Sequence, residues 1–290
     1  MAEEILDLGL ATGEKGSPRD VCFKIRPVSK EELESARINY LRLQREDRNN
    51  FCFWAPFVRD TAIAYGVRFP ESVMVDVDPE VMDAFAEVGM GGDPTVDNWF
   101  HEKVVPVLEG LSFPLFVKNG CFSNKFDFAN NCYLPSFDPE TVLSHLKSIQ
   151  SDSFCYDTFG NNLFVFREWI ASAPGTPTIY NGMPLRPEMR LFYDFDKHEP
   201  LFDVNYWDWD YCHDRIAEDE RDKEVYEGCY PALVELLASR WERYKPRCLE
   251  ALSHVEGLSG KWSVDFLLEE EAVWLIDMAE GERSAYWRPS

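Results

Sequence analysis

The sequence predicts a mixed α/β (α+β) fold, with helices dominating the first third and sheet concentrated in the second half. Three observations carry this expectation. Proline-led helix starts recur before residue 140, strand-like segments succeed one another from about residue 111, and the chain closes on two apolar strands joined by the acidic turn Glu269-Glu270-Glu271.

The 290 residues are 45% apolar, enough for one large domain or two modest ones with real cores. The first twenty, MAEEILDLGLATGEKGSPRD, have neither a basic n-region nor a sustained apolar stretch, and read as a short mobile lead-in rather than a signal peptide. Ser29 and Glu32 have capping-box spacing, and Leu33, Ala36, Ile38, Leu41 and Leu43 follow at roughly helical intervals, which predicts a helix over 30–46. Asp78-Pro79-Glu80, Asp93-Pro94 and Asp138-Pro139-Glu140 each place an acidic N-cap before a proline and predict three more. VMVDV around Val75 reads as a short strand, and Gly89, Gly91 and Gly92 close the helix after it. The later strands are FPLFVK, NNLFVFREWI, PEMRLFYDFD, WSVDFLL and AVWLIDM. One helical region interrupts them, running from the acidic IAEDERDKEVYEG into PALVELLASRWERY and CLEALSHV, with a break at Pro246.

A net charge of −23 argues against a nucleic-acid face, because phosphate backbones need a basic patch. The longest apolar stretches, around Phe164 and Trp274, are strand-length, far short of the roughly 20 residues that span a bilayer. Eight cysteines without a CxxC pair read as reduced thiols rather than a zinc site, and a cytoplasmic location is expected. Against so acidic a background, a local cluster of Lys and Arg beside carboxylates is informative.

The last hairpin carries the clearest chemistry. Side chains alternate along a strand, so Asp265 shares a face with Ser263 and Leu267, and Asp277 with Val273 and Leu275. An odd-numbered loop makes those faces coincide and brings the two carboxylates within about 8 Å, where a cation or an Arg must lie between them. An even loop turns one Asp to water. A hard divalent ion suits the first arrangement, since Mg²⁺ takes one or two carboxylates plus substrate phosphates. In VKNGCFSNK, Lys118 ends a strand and Lys125 follows a Gly-containing loop, a pattern that suits phosphate capture and also occurs in ordinary surface loops. Arg190 has the parity of Phe192 and Asp194 and would face inward, where it needs an anion, either a phosphate or a neighbouring acid.

In their order, these segments resemble the ATP-grasp fold, and most closely the cell division cycle protein 123 family. FCFWAPFVRDTAIAYGVRFPES (51–72) resembles that family's Trp-containing stretch, PLFVKNGCFSNKFDF (114–128) its strand-Lys and second Lys, and FVFREWI (164–170) its hinge strand. PEMRLFYDF (187–195) resembles its Met-Glu-x-Arg-x-Phe strand, and WSVDFLLEEEAVWLIDMAEG (262–281) its closing metal hairpin, so the likeness covers 51–290. The resemblance implies two lobes of antiparallel sheet clasping ATP, 109–170 and 171–290, with an N-terminal α/β region over 1–108. It implies that Lys118 and Lys125 contact the ATP phosphates, with Glu188 and Arg190 opposite them. The backbone of Glu168, Trp169 and Ile170 would read the adenine edge, with Phe116, Phe166 and Leu275 as apolar walls. Asp265 and Asp277 would hold Mg²⁺. The family commonly places Asn two residues after the hairpin acid; here that position is Ala279, and Glu280 is the nearest replacement ligand.

Two functions follow from the resemblance. One is an ATP-dependent carboxylate–amine ligase working through an acyl phosphate, with Lys125 and Arg190 in the catalytic clamp and Arg186 and Arg283 as substrate contacts. It needs no nucleophilic side chain, in keeping with the lack of a Ser-His or Cys-His signal. The other is a non-ligase ATP-binding assembly factor, the role of eukaryotic family members in assembling a translation initiation factor. The acidic helix near 217–228 and the aromatic run NYWDWDYCHD (205–214) would then form a partner surface.

Overall fold

The computed structural model describes residues 29–87, 94–153, 161–216 and 219–288. The expected lead-in, Gly89, Gly91, Gly92, the N-cap Asp93, Cys22, Cys155 and the start of the acidic segment at Ala217 and Glu218 lie outside the described residues. The chain divides into two units, 1–43 and 44–290. Helix α1 (Lys30–Glu46) begins in the first at the expected capping box. The Glu32 N–H donates to Ser29 Oγ at 3.1 Å and the Ser29 N–H to Glu32 Oε2 at 2.9 Å.

The second unit opens with α2 (Phe51–Ala64), capped by the side chain of Asn50, which accepts from the Cys52 N–H. It continues with β1 (Ser72–Asp76), α3 (Pro79–Glu87) and α4 (Pro94–Trp99), both helices starting at proline. A π-helical turn, Phe100–Val104, leads into α5 (Val105–Leu108). Then come β2 (Leu115–Asn119), α6 (Phe128–Asn131), β3 (Tyr133–Leu134), α7 (Pro139–Ser153) and β4 (Leu163–Glu168). These strands form an antiparallel sheet in the order β1-β4-β2-β3. Val75, Leu115, Val117, Phe164 and Phe166 pack from it against α3, α4 and α7, which leaves Phe116, Lys118 and Arg167 on the opposite face.

The short pair β5 (Thr178–Ile179) and β6 (Met183–Pro184) precedes β7 (Glu188–Asp194) and β8 (Glu199–Asn205). After α8 (Trp209–Ile216) and α9 (Glu220–Ser253), β9 (Lys261–Leu268) and β10 (Val273–Glu280) complete a second antiparallel sheet, ordered β10-β9-β7-β8. Its inner face forms the largest core with α2 and α9. The β8 strand escapes sequence reading because it is a half-exposed edge with Pro200 near its start, a position where a missing ladder donor costs little.

The helix break expected at Pro246 does not occur: α9 runs 34 residues through both Pro231 and Pro246. Each proline costs about 3 kcal/mol in a helix interior. Opposing this, Leu233, Leu237, Trp241, Tyr244, Cys248 and Leu252 recur every three or four residues and are buried. At roughly 1.5–3 kcal/mol per buried large side chain, the packed stripe outweighs the prolines.

Gly120 follows β2 where no side chain fits. A Cβ there would lie 2.2 Å from Asn50 Oδ1 and 2.7 Å from Asn161 Oδ1. Asn50 caps α2, and Asn161 accepts from the Gly120 N–H at 3.0 Å. Gly120→Ala is expected to lower stability by about 1–3 kcal/mol, measured by urea denaturation, through displacement of both amides.

Candidate functional site

The register of the final hairpin places its two acids together by a route that strand parity alone does not show. Val273 pairs with Leu268, so the turn holds four residues, 269–272, an even number. A regular ladder would then put Asp277 on the wrong face. A β-bulge at Ile276 inserts one extra residue, and Asp277 sits directly opposite Asp265. On the other side of β9, Asp265 is opposite Arg190 of β7. Arg190, Asp265 and Asp277 thus form one row across three strands.

Each acid of the row has its own cation. Arg190 donates from Nε and Nη2 to the two oxygens of Asp265, both at 2.8 Å. Lys118, on the first sheet, reaches across to both oxygens of Asp277 at 3.0 Å. The repulsion expected between the carboxylates is therefore relieved by pairing within the protein. Burial alone would raise the Asp277 carboxyl, but Lys118, Arg167 and Lys125 overcome it and hold the group below the usual carboxylate range. Burial likewise opposes the charge of Arg190, and Asp265 more than restores it.

Lys125 lies on the turn Lys125–Asp127, with its ammonium 5.1 Å from the centre of the Tyr206 ring. The Arg190 guanidinium is 5.0 Å from the same ring, so the tyrosine is held by two cations. Burial disfavours the charge on Lys125, yet Tyr206 and the acids Glu188, Asp277 and Asp265 raise its affinity for the proton.

A narrow slot of about 70 Å³ runs between the sheets, lined by Phe116, Lys118, Lys125, Glu168, Trp169 and Ile170, with Arg186, Glu188, Leu267, Ile276 and Asp277 beyond. Phe116 is a wall as expected. Phe166 and Leu275 are not: both turn into hydrophobic cores, Phe166 because its neighbour Arg167 is the residue paired opposite Phe116. Leu267, Ile276 and Met183 take their place. The Ile170 carbonyl accepts from Arg186 Nη1 at 2.6 Å, and Arg186 stacks on Trp169, its guanidinium 5.1 Å from the ring centre. Arg186 therefore sits at the end of the slot where β4 gives way to Trp169 and Ile170.

Arg283 is exposed and lies 3.9 Å from Asp47. Glu280 is turned away from the acid row: its Oε1 is 3.0 Å from Arg48 Nε and its backbone N–H donates to Asn49 Oδ1 at 2.7 Å. Among the described residues, no group of three or more His, Cys, Asp or Glu side chains is gathered for a metal.

Arg167 was not singled out from the sequence. It is 5% exposed, its Nη1 donates to the Ile276 carbonyl, and its Nε and Nη2 have no partner among the described residues. Burial lowers its pKa to about 10, against the attraction of Asp277. Glu188 lines the same slot, is 2% exposed, and has Oε2 unpartnered; burial pushes its carboxyl up despite Lys125 and Arg186. The available signal for Arg167 was parity, since Leu163 and Val165, its companions on one face of β4, are both apolar.

Adjoining the slot is a larger cavity of about 430 Å³. Lys125, Arg190, Asp265 and Asp277 line it, with aromatic walls that include Tyr206, Trp207, Tyr211 and Tyr286. The aromatic run 205–214, read above as a partner surface, is mostly half-buried over 205–213: Trp207 is buried, and the partly buried Trp209 stacks against Tyr226 and His213.

No protein-family model and no curated protein sequence matches the chain. Its likeness lies in shape. Two antiparallel sheets that face each other across a charged slot define an ATP-grasp fold. Its fold is similar to that of C-terminally truncated Cdc123 from Schizosaccharomyces pombe, which superposes with a TM-score of 0.50 and 13% identity, over 84% of this chain and 88% of that one. A second Cdc123 structure from the same organism gives 0.48 and 15%, covering 82% and 86%. D-alanine–D-alanine ligase from Bacillus anthracis complexed with ATP gives 0.34 and 11%, covering 84% and 61%.

Two outcomes follow from the paired charges. Asp265→Asn removes the partner of a largely buried guanidinium and is expected to cost about 3 kcal/mol in urea unfolding of the ligand-free protein. The second concerns acid. A carboxylate whose folded pKa is depressed contributes stability above its unfolded value near 4, lost as pH falls through the folded value. The stability difference between wild type and Lys118→Met should therefore be full at pH 5–6 and shrink as the pH is taken below 4, followed by urea midpoints.

Proposed function

We propose that the chain binds Mg-ATP in the slot between its sheets and uses it as a carboxylate–amine ligase. The observation that carries the nucleotide reading is the coexistence, in one slot, of a buried guanidinium with two unpartnered nitrogens and a buried carboxylate with an unpartnered oxygen, Arg167 and Glu188. Unused hydrogen-bonding capacity on charged groups of both signs suits a ligand that is itself an anion carrying a cation. The slot is far smaller than the roughly 300–1,000 Å³ of ligand sites in general, so binding widens it. Phosphate oxygens entering where the slot meets the adjoining cavity would take Lys118 and Arg190 from their carboxylates, leaving Asp277 and Asp265 for the ion. The donor set fits Mg²⁺ on these terms, two cross-strand carboxylates completed by phosphate and water. Mg²⁺ supplies charge neutralisation at the phosphates. Glu280 is assigned no part in this, because its carboxylate is held by Arg48.

The adjacent cavity favours the ligase over the assembly factor. It gives a second molecule room beside Lys125 and Arg190, and Tyr206, Trp207 and Tyr211 of the aromatic run are spent on its walls. In the reaction, a carboxylate oxygen of that molecule bonds to the γ-phosphorus, the bond from γ-phosphorus to the β-γ bridging oxygen breaks, and ADP leaves. An amine nitrogen then bonds to the acyl carbon, the bond from that carbon to the phosphate oxygen breaks, inorganic phosphate departs, and the amine's proton passes to solvent. Lys125 and Arg190 hold the equatorial phosphate charge throughout, the electrostatic contribution that dominates such transfers. The charge on Lys125 is secure because the surrounding acids raise its proton affinity.

Calorimetry tests the nucleotide step. Mg-ATP should bind wild type, bind Lys118→Ala at least tenfold more weakly, and bind Lys147→Ala normally, since Lys147 pairs with Asp97 away from the slot. Equal affinity in Lys118→Ala would remove that lysine from the site. The ligase step predicts ADP release stimulated by a carboxylate substrate; Mg-ATP binding with no such stimulation across a panel of amino acids and short peptides would return the assembly reading.

A further inference from the structure

The larger cavity has a chemistry of its own, and the argument for it rests on the ligase reading above. Its floor is the phosphate end of the site: Lys125, Arg190, Asp265 and Asp277. Its walls are largely aromatic, from Phe126, Tyr180, Tyr206, Trp207, Tyr211 and Tyr286. Rings so placed offer flat apolar faces with phenol edges, which favour stacking on a planar body.

The walls are built rather than incidental. The Tyr286 hydroxyl donates to the Tyr206 carbonyl at 2.8 Å, and the Tyr211 and Tyr286 rings lie 4.2 Å apart. Tyr286 holds φ at +70°, and Tyr180, opposite, holds +49°, both in the left-handed region that a bulky residue adopts at a cost.

A third cation, the solvent-exposed Arg215, also lines the cavity. Arg215, at the end of α8, lies with its guanidinium 3.6 Å from the Tyr211 ring centre and has no carboxylate partner among the described residues. Lys125, Arg190 and Arg215 thus face two carboxylates, Asp265 and Asp277, both already paired. In a chain of net charge −23, a cavity with a cationic surplus is selective for anions. Cys212 also lines it, but burial pushes its thiol up to about 11, which leaves a neutral packing group.

We infer that this cavity binds a small aromatic carboxylate, its ring stacked among the tyrosines and an anionic group held by Arg215. The inference assigns Arg215 as the specificity-determining residue for the substrate that meets the nucleotide. A stacked guanidinium presents its N–H edge in a fixed plane, which suits two-point capture of a carboxylate.

The test is equilibrium binding of 3-phenylpropanoate, its neutral amide 3-phenylpropanamide, and hexanoate, followed by tryptophan fluorescence and calorimetry on the full chain, with and without Mg-ATP. Wild type should bind 3-phenylpropanoate at least tenfold more tightly than either the amide or hexanoate. Arg215→Gln should erase the preference over the amide while binding Mg-ATP within twofold of wild type. Arg215→Lys should keep part of it. The comparison in nucleotide-free protein separates this proposal from the Mg-ATP reading: if Mg-ATP fails to bind but the Arg215-dependent preference persists, the cavity assignment stands and the nucleotide reading falls. No binding of the acid, equal binding of acid and amide, equal binding of hexanoate, or an unchanged preference in Arg215→Gln would each overturn the assignment.

Discussion

Charge neutrality inside the slot is the constraint around which the rest of the molecule is arranged. A row of Arg190, Asp265 and Asp277 across one sheet is tolerable away from water only if each charge finds its opposite at hydrogen-bond distance. Arg190 serves Asp265 from the same sheet, whereas Asp277 is served by Lys118 from the other one. The two sheets are therefore tied by an ion pair across the slot.

The cores explain why this arrangement holds its geometry. The first sheet is fixed from one side by α3, α4 and α7, and the second by α2 and α9. Each sheet thus presents its remaining face to the slot with its side chains set by strand register. Positions fixed by two packed layers are more reproducible than those on loops, and the cationic and acidic rows are strand positions, Lys118, Arg167, Arg190, Asp265 and Asp277. Lys125 is the exception, on a turn, and is held by aromatic and acidic neighbours instead.

Much of this was legible in the sequence because its signals are local. The capping box at Ser29 and Glu32, the prolines that open α3, α4 and α7, and the alternation of β4, β7, β9 and β10 each depend on residues a few positions apart. What was hidden depends on partners far along the chain. The persistence of α9 through Pro231 and Pro246 reflects its buried stripe, and the edge strand β8 is defined by its pairing with β7. The resemblance located Phe116 but misplaced Phe166, since one residue of offset along β4 exchanges the slot for the core. Asp265 and Asp277 meet although the turn is even, because a bulge supplies what loop length does not. Arg167 was legible only as a cation on an otherwise apolar strand face.

The bulge at Ile276 does more than align Asp277. An extra residue in one strand leaves the regular ladder, and the carbonyl of Ile276 is the acceptor that Arg167 uses from the facing sheet. Adjacent residues of one strand, 276 and 277, therefore carry both cross-slot links, to Arg167 and to Lys118. Opening at this point cannot release one link and keep the other under full tension. The middle of β10 consequently belongs, in its fluctuations, with the facing strands β2 and β4 as much as with its covalent hairpin partner. The cooperative unit that governs amide exchange around the slot cuts across the division of the chain into sheets.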